Sequence, residues 1–154
     1  MRKVVVNLTK GYVTVVDEDD LERMSPHSWS YGNRNYALAR IGNRPIPLHR
    51  FIMNCPPDME VDHIDGNPLN NSKENLRLCN RSQNMANRCQ RGSNNTSGYK
   101  GVTARRGGWM AQIVVKGRYI RIGDFKDKEA AAIAYNAVAL QYHGEFARLN
   151  EVRL

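Results

Sequence analysis

The chain of 154 residues has room for one ordinary domain or two small ones, and its 41% hydrophobic content supports real but modest cores. No apolar run approaches the ~20 residues of a membrane span, and Met1-Arg2-Lys3-Val4-Val5-Val6-Asn7 turns polar too soon for a signal peptide, so a cytosolic location is expected. The formal net charge is +8; residues 1–80 carry ten Lys/Arg and ten Asp/Glu, whereas residues 81–154 carry thirteen against five, so the whole excess lies in the second half and points to a polyanion, most simply nucleic acid.

The first residues, 2–8 and 11–16, read as β-branched strands joined at Lys10-Gly11. Asp17 to Met24 is acidic and opens a short helix. Trp29, Tyr31, Tyr36, Ala37, Leu38 and Ile41 indicate two more short strands, with Gly32-Asn33 and Gly42-Asn43 as turns. Leu48 to Met53 is amphipathic and helical, and Cys55-Pro56-Pro57 ends it. A strand then carries Asp62-His63, Asp65-Gly66-Asn67-Pro68 turns, a second strand runs from Leu76 to Cys79, and a helix covers about Arg81 to Arg88. Cys55, Cys79 and Cys89 form no Cys-x-x-Cys pair, and His27, His49 and His143 complete no zinc spacing, so the thiols read as incidental or buried.

From Cys89 to Ser97 the composition shifts to Gln, Arg, Gly, Ser, Asn and Thr without periodicity, as in a linker, in which Arg88 and Arg91 are placed to follow DNA. Beyond it, Tyr99–Ala104, Trp109–Lys116 and Arg118–Phe125 read as three strands with turns at Arg106-Gly107-Gly108 and Lys116-Gly117-Arg118. Lys128 to His143 has Ala131, Ala134, Tyr135, Val138 and Tyr142 at helical spacing, Asp127 as N-cap and Gly144 as C-cap. The expected division is 1–88, linker 89–97 and 98–154.

The densest chemistry lies in Val61-Asp62-His63-Ile64-Asp65-Gly66-Asn67-Pro68 and Asn70-Asn71-Ser72-Lys73-Glu74-Asn75-Leu76-Arg77. Phosphodiester hydrolysis needs an activated water and neutralised phosphate oxygens. Asp62 and Asn84 offer hard oxygen ligands suited to Mg²⁺ or Mn²⁺. His63 is a candidate general base, since a neutral imidazole accepts a proton near neutral pH, and Asn75 is expected to fix its orientation by a hydrogen bond. Asp65, Asn67 and Asn70 read as turn formers. His49 reads as a packing or phosphate-facing residue, and Arg50 and Arg77 as phosphate contacts or partners of an acid. The bland alternative is an Asn-rich turn, which the combined spacing of Asp62, His63, Asn75 and Asn84 disfavours.

The stretch Leu48 to Asn87 resembles HNH endonucleases of the homing type found in phages and introns. The resemblance implies a ββα-metal (His-Me finger) core behind an N-terminal β-rich extension, with Asp62 as metal ligand, His63 as base, Asn75 as the central Asn and Asn84 as second ligand. Asn84 stands where many members have His, which argues for Mg²⁺ or Mn²⁺ over zinc. It also implies products with a 5′-phosphate and a 3′-hydroxyl, and a single site in a monomer implies nicking. Tyr99-Lys100-Gly101-Val102, Trp109-Met110-Ala111-Gln112-Ile113, Ile122-Gly123-Asp124-Phe125, Glu129–Tyr135 and Phe146-Ala147-Arg148-Leu149-Asn150 resemble the Apetala/ethylene-response-factor (ERF) domain, a three-stranded antiparallel sheet backed by one helix. That resemblance implies binding of double-stranded DNA. Lys100, Arg105, Gln112, Arg118 and Arg121 are expected on the face opposite the helix, with Arg106 in the turn and Trp109 as a core or DNA-facing aromatic. Thr103, Val114 and Tyr119 stand where plant members usually have Arg, so base specificity does not carry over.

The expected fold class is therefore α+β, and the expected function is a site-directed, metal-dependent DNA endonuclease acting in the cytoplasm, that of the host cell for a phage-encoded protein. A non-catalytic DNA-binding regulator is the alternative. An RNA-directed nuclease is a third reading, disfavoured because the A-form major groove is too narrow for a sheet.

Overall fold

The computed structural model describes residues 2–88 and 95–153. Helices and antiparallel strands mix in two compact units, Met1–Arg81 and Ser82–Leu154. The division falls just inside the helix that the sequence assigned to the first part. Of the expected linker, Cys89 to Asn94, with Arg91, lies outside the described residues. None of the described helices is long and apolar enough to cross a membrane.

In the first unit, β1 (Lys3–Asn7) and β2 (Val13–Asp17) form an antiparallel hairpin. The chain reverses at Lys10 and Gly11, both at positive φ (62° and 75°), which glycine adopts at no steric cost. After the short helix α1 (Leu21–Met24), β3 (Ser30–Tyr31), β4 (Ala37–Ile41) and β5 (Arg44–Pro47) make a second small sheet. Helix α2 (Leu48–Ile52) is shorter than its sequence pattern predicts, because Asn54 turns to positive φ (46°) just before the prolines. A two-stranded hairpin follows, β6 (Glu60–His63) with β7 (Leu76–Cys79).

These pieces are too small to stand alone and share one core: Leu8, Val16, Met24, Ala37, Leu48, Ile52, Val61 and Leu76, with Trp29, Phe51 and Leu69 packed against it. The segment between β6 and β7 is tied to β2 as well. Val15 N–H donates to the Leu69 carbonyl (2.9 Å), and Asn71 N–H donates to the Val15 carbonyl (2.7 Å). The N-terminal hairpin thus braces the Asn-rich loop directly.

The second unit begins at Ser82, inside α3 (Arg81–Asn87). Its sheet has the order β10-β9-β8, built from β8 (Val102–Arg105), β9 (Gly108–Val115) and β10 (Arg118–Phe125). Strand β8 starts three residues later than the pattern predicts, since Ser97 to Lys100 are held in turns by Asn95 and Asn150. Lys116 and Gly117 (φ 50° and 77°) close the β9–β10 hairpin, as the left-handed pair of a two-residue turn requires. Helix α4 (Lys128–His143) is capped by the Asp127 carboxylate, which accepts from the Ala130 amide at 2.7 Å. Ala131, Ala132, Tyr135 and Ala139 bring it close to Val102, Ala111 and Ile113 of the sheet.

Candidate functional site

Strand pairing places Asp62 opposite Arg77 and His63 opposite Leu76. Successive strand residues point to opposite sides, and the neighbours of Asp62 and His63 differ accordingly. Asp62, 5% exposed, accepts on Oδ2 from Arg77 Nη2 (2.7 Å) and Nε (2.9 Å). This is a charge-assisted pair in a poorly solvated position, which holds the carboxylate in place. The same carboxylate bears on Cys79, whose thiol is pushed up to about 11 by burial first and by Asp62 and Glu60 next.

His63, 6% exposed, is framed by His49 and Tyr36, with ring centroids 5.0 and 6.0 Å away. Its Nε2 lies 3.3 Å from Asn71 Oδ1. Burial holds the imidazole pKa below its ordinary value, against opposing pulls from Asn71, Asp65 and Asp62. The ring is therefore neutral near pH 7, the state in which it accepts a proton. His49 is depressed further, to about 3, by burial, by His63 and by Arg50. Arg50 itself is spent on structure, donating to the carbonyls of Met59 (2.8 Å) and Pro56 (2.9 Å).

Asn75 has a different task from the one expected. Its Oδ1 accepts from the Asp65 amide (3.0 Å), and its Nδ2 donates to Asp65 Oδ1 (3.0 Å) and to the Asn70 carbonyl (2.8 Å). Its amide is consumed in closing the 64–75 loop, and it is the Asn71 carboxamide oxygen that faces His63 Nε2. Burial opposes the Asp65 carboxylate, but bonds from Asn67, Asn70 and Asn75 outweigh it and hold its pKa below the usual range. Asp65 and Asn70 are turn formers in the sense the sequence indicated. Asn71 is the residue beside His63 that sequence reasoning passed over, whereas His49 packs on Tyr36 and His63, in line with the packing role read for it. No local signal marks Asn71 among the neighbouring asparagines; its complete burial emerges only in the fold.

As a metal centre, Asp62 supplies one hard carboxylate. No group of three or more His, Cys, Asp or Glu gathers among the described residues. That donor set fits a hydrated ion such as Mg²⁺ or Mn²⁺, which takes one or two carboxylates and fills the rest of its shell with water and phosphate. Asn84 belongs to α3 and hence to the second unit.

In the second unit the register sorts the expected DNA-facing residues. Arg121 pairs with Gln112, Tyr119 with Val114, and Thr103 with Met110; cross-strand partners share a face. Thr103, Arg105, Met110, Gln112, Val114, Tyr119 and Arg121 therefore line the side away from α4. Arg118 pairs with Val115, which packs against Ile113 and Tyr135, so Arg118 leaves the sheet on the helix side rather than with Arg121. Trp109 packs into the helix-side core with Val102 and Ala111. Lys100 lies in the turn before β8, with its ammonium on the Ala86 carbonyl. A bulge between Arg121 and Gly123 explains the change of face along β10. At the Arg106-Gly107 end, a cleft of about 610 Å³ is lined by Arg105, Arg106, Arg121, Lys126, Asp124 and Trp109, with an Arg121–Asp124 ion pair across it.

Comparison with known proteins agrees with the chemistry of the first unit. The family described as HNH endonuclease matches residues 54–86. "Uncharacterized HNH endonuclease L560" of Acanthamoeba polyphaga mimivirus is 33% identical over 149 residues, 93% of this chain and 77% of that protein. "Protein 3.8" of Escherichia phage T7 is 35% identical over 117 residues, 75% of this chain and 88% of its own length. A shorter match, 45% identical over 56 residues, joins 36% of this chain to 15% of the "AP2/ERF and B3 domain-containing protein Os01g0141000" of Oryza sativa subsp. japonica. No solved structure matches significantly. On the matched Asp62–His63 hairpin and a viral relative that covers nearly all of it, this chain belongs to the HNH endonuclease family.

Proposed function

We propose that the chain is a metal-dependent, homing-type endonuclease that nicks double-stranded DNA, with a ββα-metal core that includes the β6–β7 hairpin and an ERF-type sheet as its DNA-holding part. The observation that carries this reading is a neutral, buried His63 next in sequence to the buried, Arg77-paired carboxylate of Asp62. His63 takes the proton of the attacking water. Asp62 is the carboxylate that would hold Mg²⁺ or Mn²⁺, and Asn84 enters as the second oxygen ligand on the family resemblance alone. When bound, such an ion supplies charge neutralisation at the scissile phosphate. Arg105, Gln112 and Arg121, which share the open face of the sheet, have the donor geometry for guanine and adenine edges, and Arg88, Arg106 and Lys126 that for phosphates. The products are a 5′-phosphate and a 3′-hydroxyl, and the enzyme acts as a monomer in the cytoplasm of a host cell; of these, the viral relatives support action in a host cell alone.

The test is supercoiled plasmid incubated with wild type, His63→Ala, Asp62→Asn and Asn84→Ala, each in Mg²⁺ and in chelator, with binding followed by gel shift. Metal-dependent nicking by the wild type, lost in the variants while binding persists, is the expected result. Linear product without a nicked intermediate sinks the nicking assignment. Binding without cutting, on DNA that contains a bound site, leaves a regulator.

A further inference from the structure

Which ring nitrogen of His63 carries its proton is decided outside the β6–β7 hairpin, by a residue of the N-terminal strand β2. Thr14 and Asn71 are both completely buried, so neither can exchange partners with water. Thr14 Oγ1 lies 2.8 Å from the Leu69 carbonyl oxygen, which can only accept, so the single hydroxyl proton goes there. Toward Asn71, 2.8 Å away, the same oxygen is left only as an acceptor. The Asn71 atom facing it must then be Nδ2, and the Pro68 carbonyl, 3.4 Å from that nitrogen, makes the same demand. The amide is thereby oriented with Oδ1 toward His63 Nε2. A carboxamide oxygen has no proton to give, so Nε2 must be the donor. In a neutral imidazole the lone pair then resides on Nδ1.

We propose that Thr14 is a positioning residue that acts through Asn71 to lock His63 in the Nε2–H form, presenting Nδ1 as its basic nitrogen. The lock is stiff because its backbone is bonded at the same place, through Val15 to Leu69 and Asn71 to Val15. It gives the N-terminal hairpin a part in the chemistry, 57 residues in sequence from the loop it steers. The consequence for catalysis rests on the proposed role of His63 as the base; the lock itself does not.

The intact protein with ¹⁵N-labelled histidine tests it, by long-range proton–nitrogen spectra of the four imidazoles, with His63 assigned by its substitution. The wild type should show a protonated Nε2 and an unprotonated Nδ1 at His63. Thr14→Ser keeps the hydroxyl and should keep both the spectrum and kcat. Thr14→Val keeps the shape but removes the 2.8 Å acceptor and leaves Asn71 Nδ2 only the longer 3.4 Å bond to the Pro68 carbonyl, so the amide loosens, the two tautomers mix, and kcat falls about 10- to 100-fold with KM for DNA little changed. A proton on Nδ1 in the wild type overturns the proposal, whether or not a variant folds. So does a Thr14→Val protein with the wild-type tautomer. A spectrum that shifts while kcat stays constant supports the lock and refutes His63 as the base, which separates the two readings.

Discussion

Acid should loosen the first unit through His49, and the size of the effect follows from its surroundings. His49 is 7% exposed and wedged against the rings of Tyr36 and His63, with its pKa depressed to about 3. In the unfolded chain the same imidazole titrates near ~6.5. The unfolded state therefore binds a proton that the folded state refuses. The stability this group permits is complete above about pH 6.5 and is lost progressively as the pH falls toward 3. Lowering the pH from about 7.5 to about 5 spans roughly 1.5 units of that gap, or about 2 kcal/mol. Urea unfolding at both pH values, in a Trp109→Phe background so that Trp29 alone reports on the first core, measures it. His49→Phe keeps a ring in place and removes the titration, so its stability should fall by about 2 kcal/mol less than that of the parent over the same interval. The variant comparison subtracts His63, whose depressed pKa adds in the same direction. Equal losses in parent and variant would refute the argument that His49 is buried uncharged.

Arg77→Met should destabilise the first unit by about 3 kcal/mol, because it strips the guanidinium from the buried Asp62, and added Mg²⁺ should restore more stability to this variant than to the wild type if Asp62 is a metal ligand. Gly101→Ala should cost the second unit about 3 kcal/mol in urea unfolding read by Trp109, since a methyl there would lie 2.2 Å from the Tyr135 ring and 2.6 Å from the Gln112 carbonyl at positive φ. Gly107→Ala, also at positive φ but with open space around it, should cost only about 1 kcal/mol. In gel shifts on duplex DNA, Arg105→Ala and Arg121→Ala should each weaken binding by about tenfold or more, and Arg118→Ala by less than about threefold; equal losses would contradict the face assignment. The wild-type affinity should fall steeply with salt, and a flat response would count against phosphate binding by the basic half.

Local chemistry made much of this protein legible in one dimension. Turn residues at positive φ, the Asp127 cap, the alternation along β9 and the period of α4 announce their elements because each depends on neighbours only a few residues away. The Asp62-His63 pair announced a nuclease for the same reason: the chemistry needs those two types side by side on a strand end. What sequence reading missed depends on pairings across long separations. Arg118 and Arg121 look equivalent along the chain, but the register with β9 and the bulge before Gly123 send them to different faces. Asn75 was the natural partner for His63 by motif position, yet Asp65 and Asn70 occupy its amide, and the bond falls to Asn71, one residue after a turn former. Nothing local distinguishes those asparagines. Only the packing of β2 against the loop does, because a buried amide takes whichever orientation satisfies every neighbour at once, and Thr14 is a neighbour that only folding provides.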